Sequence, residues 1–157
     1  RQLHNFGADP INRLRGHPEF TTGDLWYLED GQYYTSLWAE GGHPHGNMDL
    51  GTYARAKQWA IRRWVSSVSG RIEIRGQAGK VMPWGRTWGG TVRLLVVADG
   101  SRSYEAEVDD GGGGYVVTAN VDLGTRVDFL IGPGSAIGVS RFTATLSDSG
   151  GSSTQRR

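Results

Sequence analysis

Short segments of alternating apolar and polar residues, separated by glycine-containing turns, constrain the fold of this chain more than any other feature. Asp30-Gly31 and Asp99-Gly100 each lie between two such segments. An Asp-Gly dipeptide readily adopts the positive φ values of a tight hairpin turn. The sequence therefore predicts two β-hairpins, formed by residues 24–29 with 32–38 and by residues 91–98 with 102–108.

The rest of the chain repeats this pattern. Residues 71–75 alternate strictly between charged and apolar side chains, as expected of a strand with one face in solvent. No long segment has the 3.6-residue period of an amphipathic helix. About nine short strands are typical of an all-β fold, and we predict an antiparallel, jelly-roll-like β-sandwich, with a barrel as the alternative. The remaining predicted strands are 58–65, 71–75, 115–121, 126–131 and 139–146.

The length of 157 residues is enough for one domain core and too short for two ordinary ones. We therefore assign residues 1–148 to a single β-sandwich module. Residues 149–157 are rich in serine, glycine and arginine, and we predict a flexible linker or tail there. The segments without a strand pattern are predicted to be irregular or loops, namely residues 1–22, 40–49 and 76–90.

Charge and cysteine content argue against several classes of function. The 17 basic and 16 acidic residues are interspersed, so no basic patch favours nucleic acid as a partner. The absence of cysteine removes disulfides, thiolate nucleophiles and zinc sites built on cysteine pairs. The longest apolar run, residues 94–98, is far shorter than the ~20 residues of a membrane-spanning helix. We expect an extracellular module belonging to a longer secreted chain.

The segment 81–90 is the strongest candidate for function. Trp84 and Trp88 lie among proline and glycine residues without a strand period, where a backbone runs near the surface. An indole ring can stack on the C–H face of a sugar, and Arg86 can hydrogen-bond to its hydroxyl groups. The alternative is that these rings cover one end of the core, because tryptophan is buried on average. We predict polysaccharide binding through Trp84, Trp88 and Arg86.

Three residues near the first hairpin complete the predicted ligand-binding set: Tyr34, Trp38 and His43. For the aromatic residues of this hairpin, cross-strand packing is the favoured alternative. His43 and His45 also have the spacing of a weak metal-binding pattern, but no third ligand can be identified, so no metal and no other cofactor is predicted. Trp59 and Trp64 are expected to belong to the core.

Catalysis has no clear starting point in this sequence. Glycoside hydrolysis needs two facing carboxylates, and three of the five candidate glutamates lie at solvent-facing positions of alternating strands. No nucleophile elbow, phosphate-binding loop or HExxH motif occurs. We predict that the chain is not an enzyme, with a small jelly-roll lyase or hydrolase and a structural or protein-docking domain as alternatives. The candidate carboxylates are Glu29, Glu40, Glu73, Glu105 and Glu107.

Four segments, in this order, resemble a known family: residues 60–74 (AIRRWVSSVSGRIEI), 90–96 (GTVRLLV), 127–129 (VDF) and 140–145 (SRFTAT). The family consists of accessory, carbohydrate-binding-module-like β-sandwich domains of large secreted bacterial carbohydrate-active proteins. The resemblance implies a jelly-roll-like fold, polysaccharide and neighbouring domains as partners, and no catalytic residues. The chain departs from the family pattern at Trp84 and Trp88, where glycine and aspartate are more usual.

Overall fold

The computed structural model describes residues 2–6, 26–27, 36–38, 40–44, 59–80, 90–135 and 138–149. These residues form β-strands, turns and connections, and none of them lies in a helix that is long and apolar enough to cross a membrane. The strands are β1 (Gln2–Phe6), β2 (Trp26–Tyr27), β3 (Ser36–Trp38), β4 (Gly41–His43), β5 (Ala60–Val65), β6 (Gly70–Lys80), β7 (Val92–Ala98), β8 (Ser101–Val108), β9 (Gly113–Val121), β10 (Arg126–Pro133), β11 (Ser140–Phe142) and β12 (Ala144–Asp148).

The strands form two antiparallel sheets. In the eight-stranded sheet, the long strand β6 pairs with β9 on one side and with β11 and β12 in succession on the other. Strand β1 lies beyond β12, and β4, β3 and β2 follow beyond β11. The four-stranded sheet has the order β5-β10-β7-β8. The predicted all-β, antiparallel fold class is confirmed.

The core lies between the two sheets, because inward-facing side chains alternate with outward-facing ones along each strand. Phe129 of β10 and Phe142 of β11 meet edge to face, with ring centroids 6.0 Å apart. Tyr115 of β9 packs 5.4 Å from Phe142 and donates a hydrogen bond from its hydroxyl to the carbonyl of Thr143 at 2.7 Å. The contact between Phe129 and Phe142 joins both sheets into one hydrophobic cluster, to which Tyr115 also belongs.

Both predicted hairpin pairings are present. Strands β7 and β8 are joined by Asp99 and Gly100, whose φ values of 47° and 76° are those of the predicted tight turn. Strands β2 and β3 pair antiparallel, with Trp26 opposite Leu37. The Asp30-Gly31 turn itself lies outside the described residues.

Strand β6 continues past the predicted end at residue 75 into a segment that we expected to be a loop. Gly76 and Gly79 favoured the loop interpretation, but here both allow close contact between backbones. A Cβ at Gly76 would overlap the carbonyl oxygen of Thr143, and one at Gly79 would lie 2.8 Å from the Cα of Gly112. Glycine inside a strand often marks such an approach.

Two further strands occupy regions that we predicted to be irregular. Strand β1 pairs with β12, and β4 pairs with β11 and β3. In β4 a Cβ at Gly41 would overlap the carbonyl oxygen of Ser140, so the glycines that indicated a loop again admit a neighbouring strand. The described chain ends at Ser149, whose backbone N–H donates to the carbonyl of Arg71 at 3.0 Å. The predicted tail beyond it lies outside the described residues.

Candidate functional site

The outer face of the four-stranded sheet, which points away from the core, carries exposed apolar side chains. On β5, Ile61 and Val65 are 46% and 54% exposed. Trp59, one residue before the strand, shares their face by the alternation of the strand, and so does Arg63. Trp64 lies on the opposite face and packs against the core cluster, as expected. The apolar face of β5 is therefore directed to solvent.

Trp59 lies flat on this outer face. A Cβ placed on Gly132 of β10 would overlap three atoms of the six-membered ring of the indole, Cε3, Cζ3 and Cη2, at nearly equal distances. A point equidistant from three ring atoms lies over the ring centre, so one face of the indole rests on the Gly132 backbone. The other face of the ring is turned away from the sheet, and the residue is partly exposed.

The expectation that Trp59 belongs to the core is therefore wrong. Two features of the sequence could have indicated its position. Arg63 shares its face and cannot enter an apolar core without a partner, and Gly132 interrupts an otherwise apolar strand, where a glycine admits a closely approaching group. Period-two alternation alone separates the two faces of β5 without saying which one is buried.

Charged groups lie beside the indole in the same sheet. Arg93 of β7 pairs with Gly132 in register and donates from Nε to Glu105 of β8 at 2.5 Å. Arg102 also contacts the Glu105 carboxylate. The hydrogen bond from Arg93, followed by contacts with Arg102, holds the pKa of Glu105 below its usual range despite an opposing effect of desolvation. Glu105 is thus an ionised acceptor between two fixed donors.

A hydroxyl cluster closes the end of the sheet next to Trp59. The Thr91 hydroxyl donates to Glu107 at 2.9 Å and lies 3.1 Å from the Ser135 hydroxyl. These groups border the point at which the segment 81–89 returns to the sandwich. The Nζ of Lys80 donates to the carbonyl of Gly90 at 3.1 Å, so the residues flanking that segment are held together.

The middle of the outer face contains a row of apolar side chains and, beside it, an ion pair. Leu130 pairs with both Ile61 and Leu95 in register, so the three side chains form one row across the sheet. In the next row, Arg63 forms two hydrogen bonds with Asp128, at 2.6 and 2.8 Å. This apolar row therefore lies between Trp59 on one side and the Arg63–Asp128 pair on the other.

The six predicted ligand-binding residues fall into two groups. Tyr34, Trp84, Arg86 and Trp88 lie outside the described residues, and their role stays a prediction. Trp38 and His43 are buried, with exposures of 6% and 8%, so neither presents a ring face to a ligand. For Trp38, this agrees with the packing alternative for hairpin aromatics.

Internal hydrogen bonds explain how these two buried residues are held. Arg62 donates to the backbone carbonyl of Trp38 at 2.6 Å. The Nδ1 of His43 lies 2.8 Å from the carbonyl oxygen of Pro44, and because that oxygen can only accept, Nδ1 is the donor. In the part of the chain that the structure describes, no three His, Asp or Glu side chains are grouped as metal ligands.

We expect replacement of Arg93 with Gln to raise the pKa of Glu105 towards that of an ordinary glutamate, because the Arg93 hydrogen bond is the largest cause of its lowering. Arg102→Gln should have a smaller effect. Folding lowers this pKa, so the ion pairs stabilise the fold fully at pH values above the ordinary glutamate pKa. This stabilisation is lost as the pH falls through the lowered pKa of the folded state. Carbon-13 NMR titration of the Glu105 carboxyl measures the change, and an unaltered pKa in Arg93→Gln would contradict the assignment.

Comparison with known proteins gives a distant likeness among solved structures. No protein-family model matches this chain, and no curated protein matches it either. Among solved structures, a family 35 carbohydrate binding module from an environmental isolate has a TM-score of 0.45 and 10% sequence identity with this chain. The match covers 95% of this chain and 88% of that one. At 10% identity, no residue of the site is carried over from that protein.

Proposed function

We propose that this chain is a non-catalytic carbohydrate-binding module that holds polysaccharide on the outer face of its four-stranded sheet. The observation that carries the proposal is the flat, partly exposed indole of Trp59 on Gly132. We include Trp84 and Trp88 in the proposed site, because the segment that carries them is followed directly in the chain by Gly90. Gly90 is two residues before Val92, which pairs with Pro133, the residue next to Gly132.

The chemistry of a sugar suits this arrangement. A pyranose ring presents C–H groups on one face, which pack well against a flat aromatic surface. Its hydroxyl groups at the ring edge need donors and acceptors, and Arg93, Glu105 and Glu107 provide both types along the adjacent strands. Hydrogen bonds to charged groups are stronger than those between neutral groups. Ile61, which is exposed on the same face, extends the apolar surface beyond one ring, as binding of a polymer requires.

Two of the described glutamates, Glu73 and Glu105, support binding better than hydrolysis. A general acid in glycoside cleavage needs a raised pKa so that it is protonated near neutral pH. The pKa of Glu105 is lowered by Arg93 and Arg102, and that of Glu73 is lowered chiefly by its hydrogen bond with Arg75. Both side chains therefore act as ionised acceptors.

The proposed role also includes location and partners. As part of a larger secreted protein, the module would keep an attached enzyme near an extended substrate and raise its effective concentration there. The nearly balanced charge, 17 basic against 16 acidic residues, favours a glycan over nucleic acid. Trp84, Trp88 and Arg86, with contributions from Tyr34, are the candidates for completing the contacts that begin at Trp59.

Native gel electrophoresis with polysaccharide in the matrix tests the proposal. We expect the wild-type chain to be retarded by at least one polysaccharide of a panel. The double variant Trp84→Ala plus Trp88→Ala should lose most of this retardation, because the loss of each ring reduces the area on which the ligand can stack. Val116→Ala is the control, since Val116 is exposed on the eight-stranded sheet, away from the proposed site.

The alternatives give different results in the same experiment. Release of reducing ends or unsaturated products from a retained polysaccharide would identify a hydrolase or lyase. Unchanged retardation of the double variant would remove Trp84 and Trp88 from the site. Failure of every polysaccharide to retard the wild-type chain would contradict the proposed function.

A further inference from the structure

A polar depression lies at one end of the eight-stranded sheet, where the ends of β6 and β11 meet the connection between β8 and β9. Its volume is about 300 Å³, within the range of small-ligand sites. We call it the glycine pocket, because Gly79 and Gly111–Gly113 form much of its wall. We call the proposed site on the outer face of the four-stranded sheet the Trp59 site. None of the strands of that sheet lines the glycine pocket. The polar side chains that line it are Gln77, Lys80, Asp110 and Arg141.

The glycines of the pocket divide into those that the fold requires and those that it does not. Gly112 has a φ of 51°, and a Cβ there would lie 2.5 Å from the carbonyl oxygen of Ala78. Gly113 has no such constraint, since a Cβ there would meet nothing within 4 Å and its φ lies outside the left-handed region. Gly111 would meet only the side chain of Asp109, at 3.2 Å. Folding therefore explains Gly112 but not Gly113, which lines the pocket.

The charged groups of the pocket are held in place by the fold. The Lys80 side chain is 1% exposed, and its Nζ lies 3.3 Å from Oδ1 of Asp110. This oxygen is buried and accepts no hydrogen bond, so the contact is an ion pair without hydrogen-bond geometry. The Asp110 side chain as a whole is 27% exposed. Lys80 thus holds the Asp110 carboxylate at the pocket wall, where its exposed part can accept hydrogen bonds.

Arg141 and Gln77 supply the complementary groups. Both side chains are exposed at the pocket. A guanidinium donates only, a carboxylate accepts only, and an amide does both. A pair of neighbouring hydroxyl groups matches this set, because each hydroxyl can donate to a carboxylate while accepting from a guanidinium or amide.

From this placement we infer that the glycine pocket binds one sugar unit, either a free monosaccharide or the end residue of a chain, mainly through hydrogen bonds. The pocket would recognise a chain end, whereas the Trp59 site would hold the length of a polymer. An inorganic anion is the less suitable ligand. The Asp110 carboxylate repels it, and the buried ammonium of Lys80 is already engaged by Asp110 and Gly90.

Nitrogen-15 NMR titration with a panel of monosaccharides and their methyl glycosides tests this inference. We expect at least one sugar to move the amide resonances of Gly111, Gly113 and Arg141 in a saturable manner. Gly113→Val should weaken this binding by about tenfold or more, because its side chain fills the space and removes hydrogen bonds to charged groups. Asn120→Val is the control on the same strand, since Asn120 is exposed and does not line the pocket.

A second variant keeps the test valid if Gly113→Val does not fold. Arg141→Met removes the exposed donor from the pocket and should weaken sugar binding to a similar extent. The inference is overturned if no sugar of the panel moves these resonances, if inorganic phosphate moves them and sugars do not, or if folded Gly113→Val binds as the wild type does. Sugar-dependent shifts without retention of any polysaccharide would support the pocket and contradict the Trp59 site, so the two proposals fail separately.

Discussion

Replacement of Trp59 with Ala is expected to weaken polysaccharide binding by about 2 kcal/mol, or roughly thirtyfold, as for a central aromatic residue of a binding surface. The change removes the ring that lies on Gly132 and leaves the core unaltered. The variant should therefore keep its cooperative thermal unfolding. Isothermal titration calorimetry with a soluble oligosaccharide of the retained polysaccharide measures the loss of affinity, and Trp59→Phe should recover part of it.

Gly132→Ala tests the same site without removing the indole. Its Cβ would overlap the Trp59 ring, and the ring can respond by leaving its position because it ends a flexible side chain. We expect weaker binding with a small change in stability. Equal affinities of wild type, Trp59→Ala and Gly132→Ala would show that the ligand does not contact the indole.

Replacement of Gly76 with Ala should have the largest effect on stability, a loss of about 4 kcal/mol or more. A Cβ at this position would overlap the Thr143 carbonyl oxygen and lie 2.7 Å from the Tyr115 ring. The carbonyl cannot easily move away, because it accepts from the Tyr115 hydroxyl at 2.7 Å. In addition, Thr143 N–H donates to the carbonyl of Gln77 at 3.0 Å. The substitution therefore strains two paired strands at once.

Urea unfolding followed by tryptophan fluorescence measures this loss. Gly114→Ala is the control in the paired strand, where a Cβ has ordinary contacts only. We expect its free energy of unfolding to stay within about 0.5 kcal/mol of the wild-type value. If Gly76→Ala is as stable as Gly114→Ala, the contact between β6 and the junction of β11 with β12 is not as described.

The fold class and several strands could be predicted because their physical causes are local. Asp99-Gly100 gives a tight turn through its own φ preferences, and the alternation at residues 71–75 requires a sheet with one wet face. The single predicted strand 139–146 corresponds to β11 and β12, which keep one register along β6: Phe142 pairs with Ala78, and Thr145 with Arg75.

The errors came from residues whose role depends on a distant neighbour. Gly41 and Gly76 looked like parts of loops, but each admits the backbone of another strand, which no local pattern reveals. Trp59 is expected in the core because aromatic residues of strands usually pack against their neighbours, but that tendency does not say which face of the sheet they occupy. For the site, the burial of Trp38 agrees with its packing alternative and removes it from the predicted ligand-binding set. The position of Trp59 was indicated only by Arg63 on the same face and by Gly132 on a neighbouring strand.

The most direct test of the central claim is the indole N–H resonance of Trp59, followed by nitrogen-15 NMR while a retained glycan is added. Its loss in Trp59→Phe assigns the resonance. Binding on the outer face of the four-stranded sheet predicts a saturable shift of this resonance together with the Arg93 amide, while the Val116 amide on the other sheet stays unchanged. A glycan that is retained in the gel but leaves the Trp59 and Arg93 resonances unmoved would contradict the account.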